Sequence, residues 1–409
     1  MKEDSKMGIK MKGLKKALAS ALTLTMCLGA TLTTMAGAGG TPTNQAEAKL
    51  SKTVSYASTL TAPTATFTFD FEKTSKDGIT DAPMLGKIPT INPATIGFTA
   101  GETGVTNGGV TSITKATPNL LAGINWADAD GAGTYVWTVT ERQSGFTAGA
   151  GENMDYSEAV FQLVVKVAYD PGSDSYYVES TFTDQTHTDN GGAGGGKNGA
   201  DPGDGSAGSG DADYNFTFTN IYSKQAGGNP GGGAGDNEAL SIGKTVTGTG
   251  ADQGRNFAFT MTLNDSATTH TSKNYVGTVY NGATATSITH TVNGDGTQLT
   301  FNLKHGQRLV FHDVPVGAIV NVTESGTTNY TPAISGMVNV NTGTDGASLS
   351  TSNATVGTGT NTITFTNTFD NSQIPTGLFA NNLPFIALMV AGIFAVAVLA
   401  VVNKRKAMR

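Results

Sequence analysis

Short segments in which apolar and polar residues alternate recur along most of the chain, separated by turns rich in Gly, Asn and Asp. A period of two is typical of β-strands that bury one face, and no long amphipathic helix interrupts the pattern. We therefore predict an all-β fold with two tandem Ig-like β-sandwich modules. The clearest predicted strands are Ala65–Glu72, Thr134–Glu141, Phe161–Tyr169, Tyr176–Thr183, Asn256–Leu263, Thr297–Leu303, Gln307–His312, Ile319–Glu324 and Asn361–Phe369.

Two Gly-rich stretches interrupt the alternation and suggest the domain boundaries. Residues 191–210 are predicted to form a long loop, and 225–235 are predicted to be a linker. The linker separates two segments of similar plan, which places the modules at 49–224 and 236–370. Asn293-Gly294 and His305-Gly306 are predicted to form hairpin turns in the second module.

Each predicted module carries a Lys, a Glu and an Asn on the same strand face as apolar residues. Because successive side chains of a strand point to opposite sides, parity indicates which residues share a face. The local sequences also repeat in the same order: Ser51-Lys52-Thr53-Val54 with Gly243-Lys244-Thr245-Val246, Val139-Thr140-Glu141 with Val322-Thr323-Glu324, and Phe218-Thr219-Asn220 with Phe365-Thr366-Asn367.

A polar residue at a strand end can simply mark the rim of a sheet, and for one residue that explanation is sufficient. If each residue faced either side of its strand at random, the chance that all six share the apolar face would be about one in 64. Burying Lys and Glu is costly, and desolvation lowers the pKa of a Lys and raises that of a Glu. A neutral amine is a nucleophile, and a protonated Glu can polarise an amide and shuttle protons. The set therefore predicts a self-formed Lys–Asn isopeptide bond in each module, a single event rather than enzymatic turnover.

The first 38 residues are predicted to be an export signal. Four Lys residues between positions 10 and 16 precede an apolar run at 17–30, and Ala36-Gly37-Ala38 fits a cleavage site. Ala46-Glu47-Ala48 is a second cleavage candidate, and Met7 and Met11 are alternative starts. The single cysteine, Cys27, lies in the apolar run, so the processed chain has no cysteine and cannot form disulfides. A membrane anchor or a lipoprotein signal at this end is less favoured.

The C-terminal segment, 373–409, is predicted to be a cell-wall sorting signal. It begins with Gln373-Ile374-Pro375-Thr376-Gly377, which is similar to the LPxTG-type motifs that sortases cleave. An apolar run at 383–402 is long enough to cross a bilayer, and the basic tail at 403–409 favours a cytoplasmic end. A plain single-span anchor explains the run and the tail, whereas the motif at this spacing favours the sorting signal.

Charge and motif content exclude several other functions. The chain has 25 basic and 32 acidic residues. The leader holds six basic and two acidic residues and the tail holds four basic residues, so the region between them has 15 basic and 30 acidic residues. This balance argues against nucleic-acid binding. The Gly-rich sequence around Lys197 does not lie between a strand and a helix, Asp128–Gly131 lacks a full calcium loop, and the five His residues lack metal spacing. No cofactor, metal or hydrolase triad is predicted.

The matching stretches resemble the sortase-assembled backbone pilins of Gram-positive bacteria, in particular the two-domain streptococcal shaft pilins. They include Leu50–Tyr56, Thr134–Glu141, Phe216–Asn220, Leu240–Gly248, Leu303–Gly306, Val314–Gly317 and the strand of Asn367. The resemblance implies cross-links Lys52–Asn220 and Lys244–Asn367, with Glu141 and Glu324 as catalysts.

The resemblance also implies how subunits are joined. A sortase would cleave between Thr376 and Gly377, and a Lys amine of another subunit would take up the acyl group. Lys197 is the first candidate for this Lys and Lys166 the second, and an ordinary solvated Lys is the competing explanation for both. The implied partners are sortase, further pilin subunits and peptidoglycan at the cell-wall surface, with host ligands left open. A monomeric wall-anchored adhesin built from the same modules is the alternative.

Overall fold

The computed structural model describes residues 40–198, 216–232, 236–338, 340–369, 388–398 and 404. The predicted leader and the motif 373–377 lie outside these residues. Strands dominate, and the all-β prediction is confirmed. The described residues fall into two compact units, one within the ranges Met1–Tyr56, Thr61–Thr147 and Met154–Tyr222, the other within Ala57–Leu60, Ala148–Asn153 and Ser223–Arg409.

The first unit is built around eleven strands and one short helix within the described residues. These are β1 (Ser51–Ala57), β2 (Ala65–Lys76), α1 (Ala82–Lys87), β3 (Ala94–Phe98), β4 (Val105–Asn107), β5 (Val110–Ala116), β6 (Gly133–Glu141), β7 (Glu152–Asp155), β8 (Val160–Asp170), β9 (Ser175–His187), β10 (Ala193–Asn198) and β11 (Thr217–Lys224).

Two sheets pack face to face in this unit. One has the strand order β4-β5-β1-β11-β7 and the other β10-β9-β8-β6-β2-β3. Their inner faces meet at Phe218 of β11, whose ring centroid lies 5.1 Å from that of Phe69 on β2 and 5.0 Å from that of Phe161 on β8. The alternating burial along β8, in which Phe161, Leu163 and Val165 are buried, follows from the period of two in its sequence.

The second unit has the remaining strands of the described chain. These are β12 (Leu240–Thr247), β13 (Phe257–Asn264), β14 (Asn274–Asn281), β15 (Thr284–Asn293), β16 (Leu299–Leu303), β17 (Gln307–Phe311), β18 (Ile319–Glu324), β19 (Tyr330–Gly336), β20 (Asn341–Thr342), β21 (Leu349–Ser350), β22 (Ala354–Thr355) and β23 (Asn361–Phe369).

These strands also form a two-sheet sandwich. The larger sheet has the order β15-β14-β17-β12-β23-β19-β20, and the smaller has β16-β13-β18-β21, with β22 paired to β18. Phe259 on β13 and Phe365 on β23 bridge the two inner faces, with ring centroids 5.2 Å apart. In both units the first strand and the last strand pair in parallel, β1 with β11 and β12 with β23.

Both predicted hairpin turns are wrong, because each connects strands of different sheets. The chain passes from β15 in the larger sheet to β16 in the smaller one after Asn293, and returns from β16 to β17 through His305-Gly306. A hairpin does form between β14 and β15, where Asn281 pairs with Thr284 and Gly282 adopts a φ of 61°. Glycine tolerates this left-handed conformation without strain.

The predicted loop at 191–210 is wrong in part, because Ala193–Asn198 form β10 at the edge of the first unit's larger sheet. Within the predicted apolar segment 383–402, the structure describes residues 388–398 as an exposed helix. Among the described residues, no helix combines the length and the apolar character needed to cross a membrane.

Candidate functional site

Parallel pairing places Lys52 and Asn220 on neighbouring strands of the first unit. Lys52 on β1 pairs with Phe218 of β11, and Val54 pairs with Asn220, so the amide lies two residues further along the partner strand. Residues two apart share a face, and this face is the buried one. Glu141 ends β6 in the opposite sheet, from where its side chain reaches across the core.

The three side chains make direct contacts in the buried interior. Lys52 Nζ donates a hydrogen bond to Glu141 Oε2 at 2.7 Å, and Asn220 Nδ2 donates to Glu141 Oε1 at 2.7 Å. The exposed fraction is 0% for Lys52 and Asn220 and 7% for Glu141. One carboxyl group therefore bridges the amine and the amide.

The second unit repeats this arrangement with the same register. Lys244 on β12 pairs with Phe365 of β23, and Val246 pairs with Asn367. Lys244 Nζ lies 2.8 Å from Glu324 Oε1 and 3.0 Å from Oε2, while Asn367 Nδ2 donates to Oε1 at 2.6 Å. All three residues are buried.

Burial shifts the ionisation of both pairs toward their neutral forms. Desolvation lowers the pKa of Lys52 and of Lys244 to about 8, although the neighbouring carboxyl group opposes the change. Desolvation likewise raises the pKa of Glu141 and of Glu324, against the effect of the lysines. A lower amine pKa increases the fraction of Lys that is a free nucleophile, and a higher carboxyl pKa keeps a proton available.

Two Phe residues belong to each site, and both members of each pair lie in a predicted strand, Ala65–Glu72 in the first unit and Asn256–Leu263 in the second. Lys52 Nζ lies 4.7 Å from the ring centroid of Phe67, and Lys244 Nζ lies 4.3 Å from that of Phe257. Two residues after each of these rings lies a second Phe whose backbone pairs with the glutamate of the neighbouring strand. Phe69 pairs with Glu141, and Phe259 pairs with Glu324. The repeated Phe-x-Phe sequence was a signal that could have identified these rings.

The surroundings of the two amides differ. In the first unit Asn220 Oδ1 accepts a hydrogen bond from the backbone N–H of Ser157 at 2.7 Å. In the second unit Asn367 Oδ1 is buried and has no hydrogen-bond partner among the described residues. Sequence reasoning missed Ser157, because a backbone donor leaves no residue-type signal.

The candidate residues for subunit joining occupy separate places. Lys166 is exposed on β8, and its Nζ forms an ion pair with Glu179 Oε2 at 2.7 Å. Lys197 lies in β10, with its Cα paired to that of Asp184 on β9. The motif Gln373–Gly377 lies outside the described residues. In the part of the chain that the structure describes, no group of three His, Cys, Asp or Glu side chains is placed to hold a metal ion.

Comparison with known proteins gives one family match and several structural matches. A family model described as a domain of unknown function (DUF7601) matches residues 238–369, and no curated protein matches the chain significantly. The chain is similar to the crystal structure of the major pilin from Streptococcus pyogenes, with 18% identity, coverage of 80% of this chain and 99% of that chain, and a TM-score of 0.30.

Two further matches are of the same kind. A second S. pyogenes major pilin is 18% identical over 79% of this chain and 98% of that chain, with a TM-score of 0.28. A pilus-presented adhesin is 22% identical over 32% of this chain and 27% of that chain, with a TM-score of 0.24. The resemblance to major pilins is thus confirmed as a similarity.

Proposed function

We propose that the chain is a structural subunit of a covalently polymerised surface pilus, reinforced by the isopeptide bonds Lys52–Asn220 and Lys244–Asn367. One observation carries this proposal: both units bury a Lys, a Glu and an Asn in the same register, with one carboxyl group bridging amine and amide. Two isolated buried ion pairs would be a poor source of stability. A reaction that consumes the amine gives a reason for burying them.

The proposed reaction follows from the contacts at Glu141. The neutral Nζ of Lys52 attacks Cγ of Asn220, and a new Nζ–Cγ bond forms. Glu141 takes the proton from Nζ at Oε2 and delivers a proton to Nδ2 at Oε1, so the Cγ–Nδ2 bond breaks and ammonia leaves. Glu141 returns to its starting protonation state, and Glu324 acts in the same way on Lys244 and Asn367. Each unit reacts once, so the chain is not a turnover enzyme.

The position of the bonds suits a load-bearing role. Each would join the first strand of a unit to its last strand, which pair in parallel. A chain that lacks cysteine after export needs a cross-link other than a disulfide. The isopeptide bond provides one that reducing agents do not cleave.

Export and anchoring complete the proposal. The leader at 1–38 would direct secretion, and the sorting signal at 373–409 would be cleaved between Thr376 and Gly377 by a sortase. The acyl group would pass to a Lys of another subunit during polymerisation, and to peptidoglycan when the fibre is attached to the wall.

The isopeptide bonds are tested by intact mass and peptide mapping of the chain. We expect the loss of two ammonias from the wild type and of one from Lys52→Met or Lys244→Met. Lys166→Met, which removes an exposed amine instead, is the matched control and retains both losses. A wild-type chain with the full mass of its sequence would refute the proposed chemistry.

Polymerisation is tested separately on cell-wall extracts boiled in detergent. A ladder of covalent multimers is expected for a pilus shaft. A single band, together with two ammonia losses, would instead identify a monomeric wall-anchored adhesin built from cross-linked units.

A further inference from the structure

We propose that the backbone N–H of Ser157 stabilises the oxyanion formed at Asn220 Oδ1, and that Asp189 is the positioning residue that holds this donor in place. The first unit would then form its cross-link faster than the second, in which the described residues supply no such donor. This inference rests on the proposed isopeptide chemistry and extends it to residues outside the Lys, Glu and Asn sets.

The donor fixes the orientation of the reacting amide. Ser157 N–H can only donate, so the atom of Asn220 that lies 2.7 Å from it must be the carbonyl oxygen. The amide nitrogen then necessarily faces Glu141, at 2.7 Å from Oε1. Attack by Lys52 therefore places developing negative charge beside an N–H group and the leaving nitrogen beside the proton carrier.

Asp189 connects the donor to the strand that carries the amide. A single carboxylate oxygen, Oδ1, accepts from Ser157 Oγ at 2.5 Å and from the backbone N–H of Thr219 at 2.9 Å. Thr219 immediately precedes Asn220 on β11. The backbone of the same loop is fixed as well, because Glu158 N–H donates to the carbonyl oxygen of Asp189 at 2.9 Å. The Asp189 side chain therefore ties the loop that carries the donor to the strand that carries the amide.

The second unit lacks this arrangement. Asn367 Oδ1 is buried, with the residue 2% exposed, and it has no partner among the described residues. The residue that pairs with Asn367 on the neighbouring strand β19 is Pro332, which has no N–H group. Nothing that the structure describes there supplies a donor to the oxyanion.

The expected effect is large enough to measure. Removing one oxyanion donor from an enzyme typically slows the reaction on the order of 10²-fold to 10³-fold. We therefore expect the Lys52–Asn220 bond to form at least about tenfold faster than the Lys244–Asn367 bond in the same molecule.

The test follows both bonds during cell-free synthesis of the full chain in mild detergent. Samples are quenched in denaturant at successive times, and the two cross-linked peptide pairs are quantified by mass spectrometry. Asp189→Ala is expected to slow the first bond about tenfold or more and to leave the second unchanged, so the second bond is an internal reference. Asp189→Asn removes the same charge but keeps an acceptor oxygen, and it should retain most of the wild-type rate.

Three results decide the inference. Equal rates for the two bonds in the wild type, or an unchanged ratio in Asp189→Ala, would overturn it. A slow first bond in both Asp189 variants would assign the effect to charge and also overturn it. Asp189→Ala is also combined with Glu141→Ala, in which the first bond cannot form, to measure its effect on stability alone. If it lowers stability there, the rate of the first bond in Ser157→Ala decides instead. Ser157→Ala keeps the backbone N–H but loses the side-chain contact to Asp189. Formation of neither bond in the wild type would refute the proposed function itself.

Discussion

Replacing Lys244 with Met removes the second cross-link with little other disturbance. Met is unbranched and fills the space beside the Phe257 ring, which lies 4.3 Å from the Lys244 amine. Glu324 remains hydrogen-bonded to Asn367 Nδ2 at 2.6 Å, and burial raises its pKa, a shift that the neighbouring lysine opposes in the wild type. The variant therefore isolates the effect of the covalent bond on stability.

The free energy by which the bond stabilises the second unit follows from the length of the loop that the bond closes. Lys244 and Asn367 enclose a loop of about 120 residues, for which the chain-entropy model of cross-links gives about 5 kcal/mol. For a unit of roughly this size, 1 kcal/mol corresponds to about 4 °C in melting temperature, so Lys244→Met should lower the melting temperature of the second unit by about 20 °C.

Calorimetry and guanidinium unfolding of the full chain would measure this difference, with peptide mapping to verify the absence of the bond. Lys304→Met, an exposed substitution in the same unit, is the matched control and should change the unfolding free energy by less than about 0.5 kcal/mol. If Lys244→Met lacks the bond and yet unfolds within about 1 kcal/mol of the wild type, the argument from chain entropy is refuted.

Two further predictions concern pH and subunit joining. In Asn367→Ala the Lys244 amine stays free and buried, with its pKa lowered from 10.5 to about 8. Between these values the folded state binds fewer protons than the unfolded state, so the unfolding free energy of the second unit should rise with pH across this window, and a fall would contradict the assignment. Lys197→Ala should abolish the multimer ladder, whereas Lys166→Ala, which removes an amine paired with Glu179, should preserve it. A ladder that persists in Lys197→Ala would exclude Lys197 as the acceptor.

A strand with a clear apolar alternation was predictable from sequence, and an exposed edge strand was not. Val160–Asp170 has a clear apolar alternation, and its position was predicted to within one residue at each end. Thr284–Asn293 forms an edge strand whose only fully buried residue is Val292, so its sequence carries no apolar period. The Asn293-Gly294 turn shows a second limit, because turn chemistry is local and does not determine which sheet the next strand joins.

The candidate sites show the same division. Parity along single strands indicated that Lys, Glu and Asn face the apolar side, since that depends only on the period of two. The contribution of Ser157 depends on the path of the backbone after β7, and that of Asp189 depends on a loop after β9 that packs against β11. Neither residue lies in a repeated sequence, and only the folded arrangement brings them to Asn220.

Placing the cross-link between parallel terminal strands determines how each unit would bear force. Pulling on the chain before β12 and after β23 draws these two strands in opposite directions, which shears their shared ladder of hydrogen bonds. A bond from Lys244 to Asn367 would transmit the force directly between the two strands, so the segment from β13 to β22 would carry none of it. The sandwich core would then not have to resist extension, and its role would be to hold amine, carboxyl and amide in contact long enough for the bond to form.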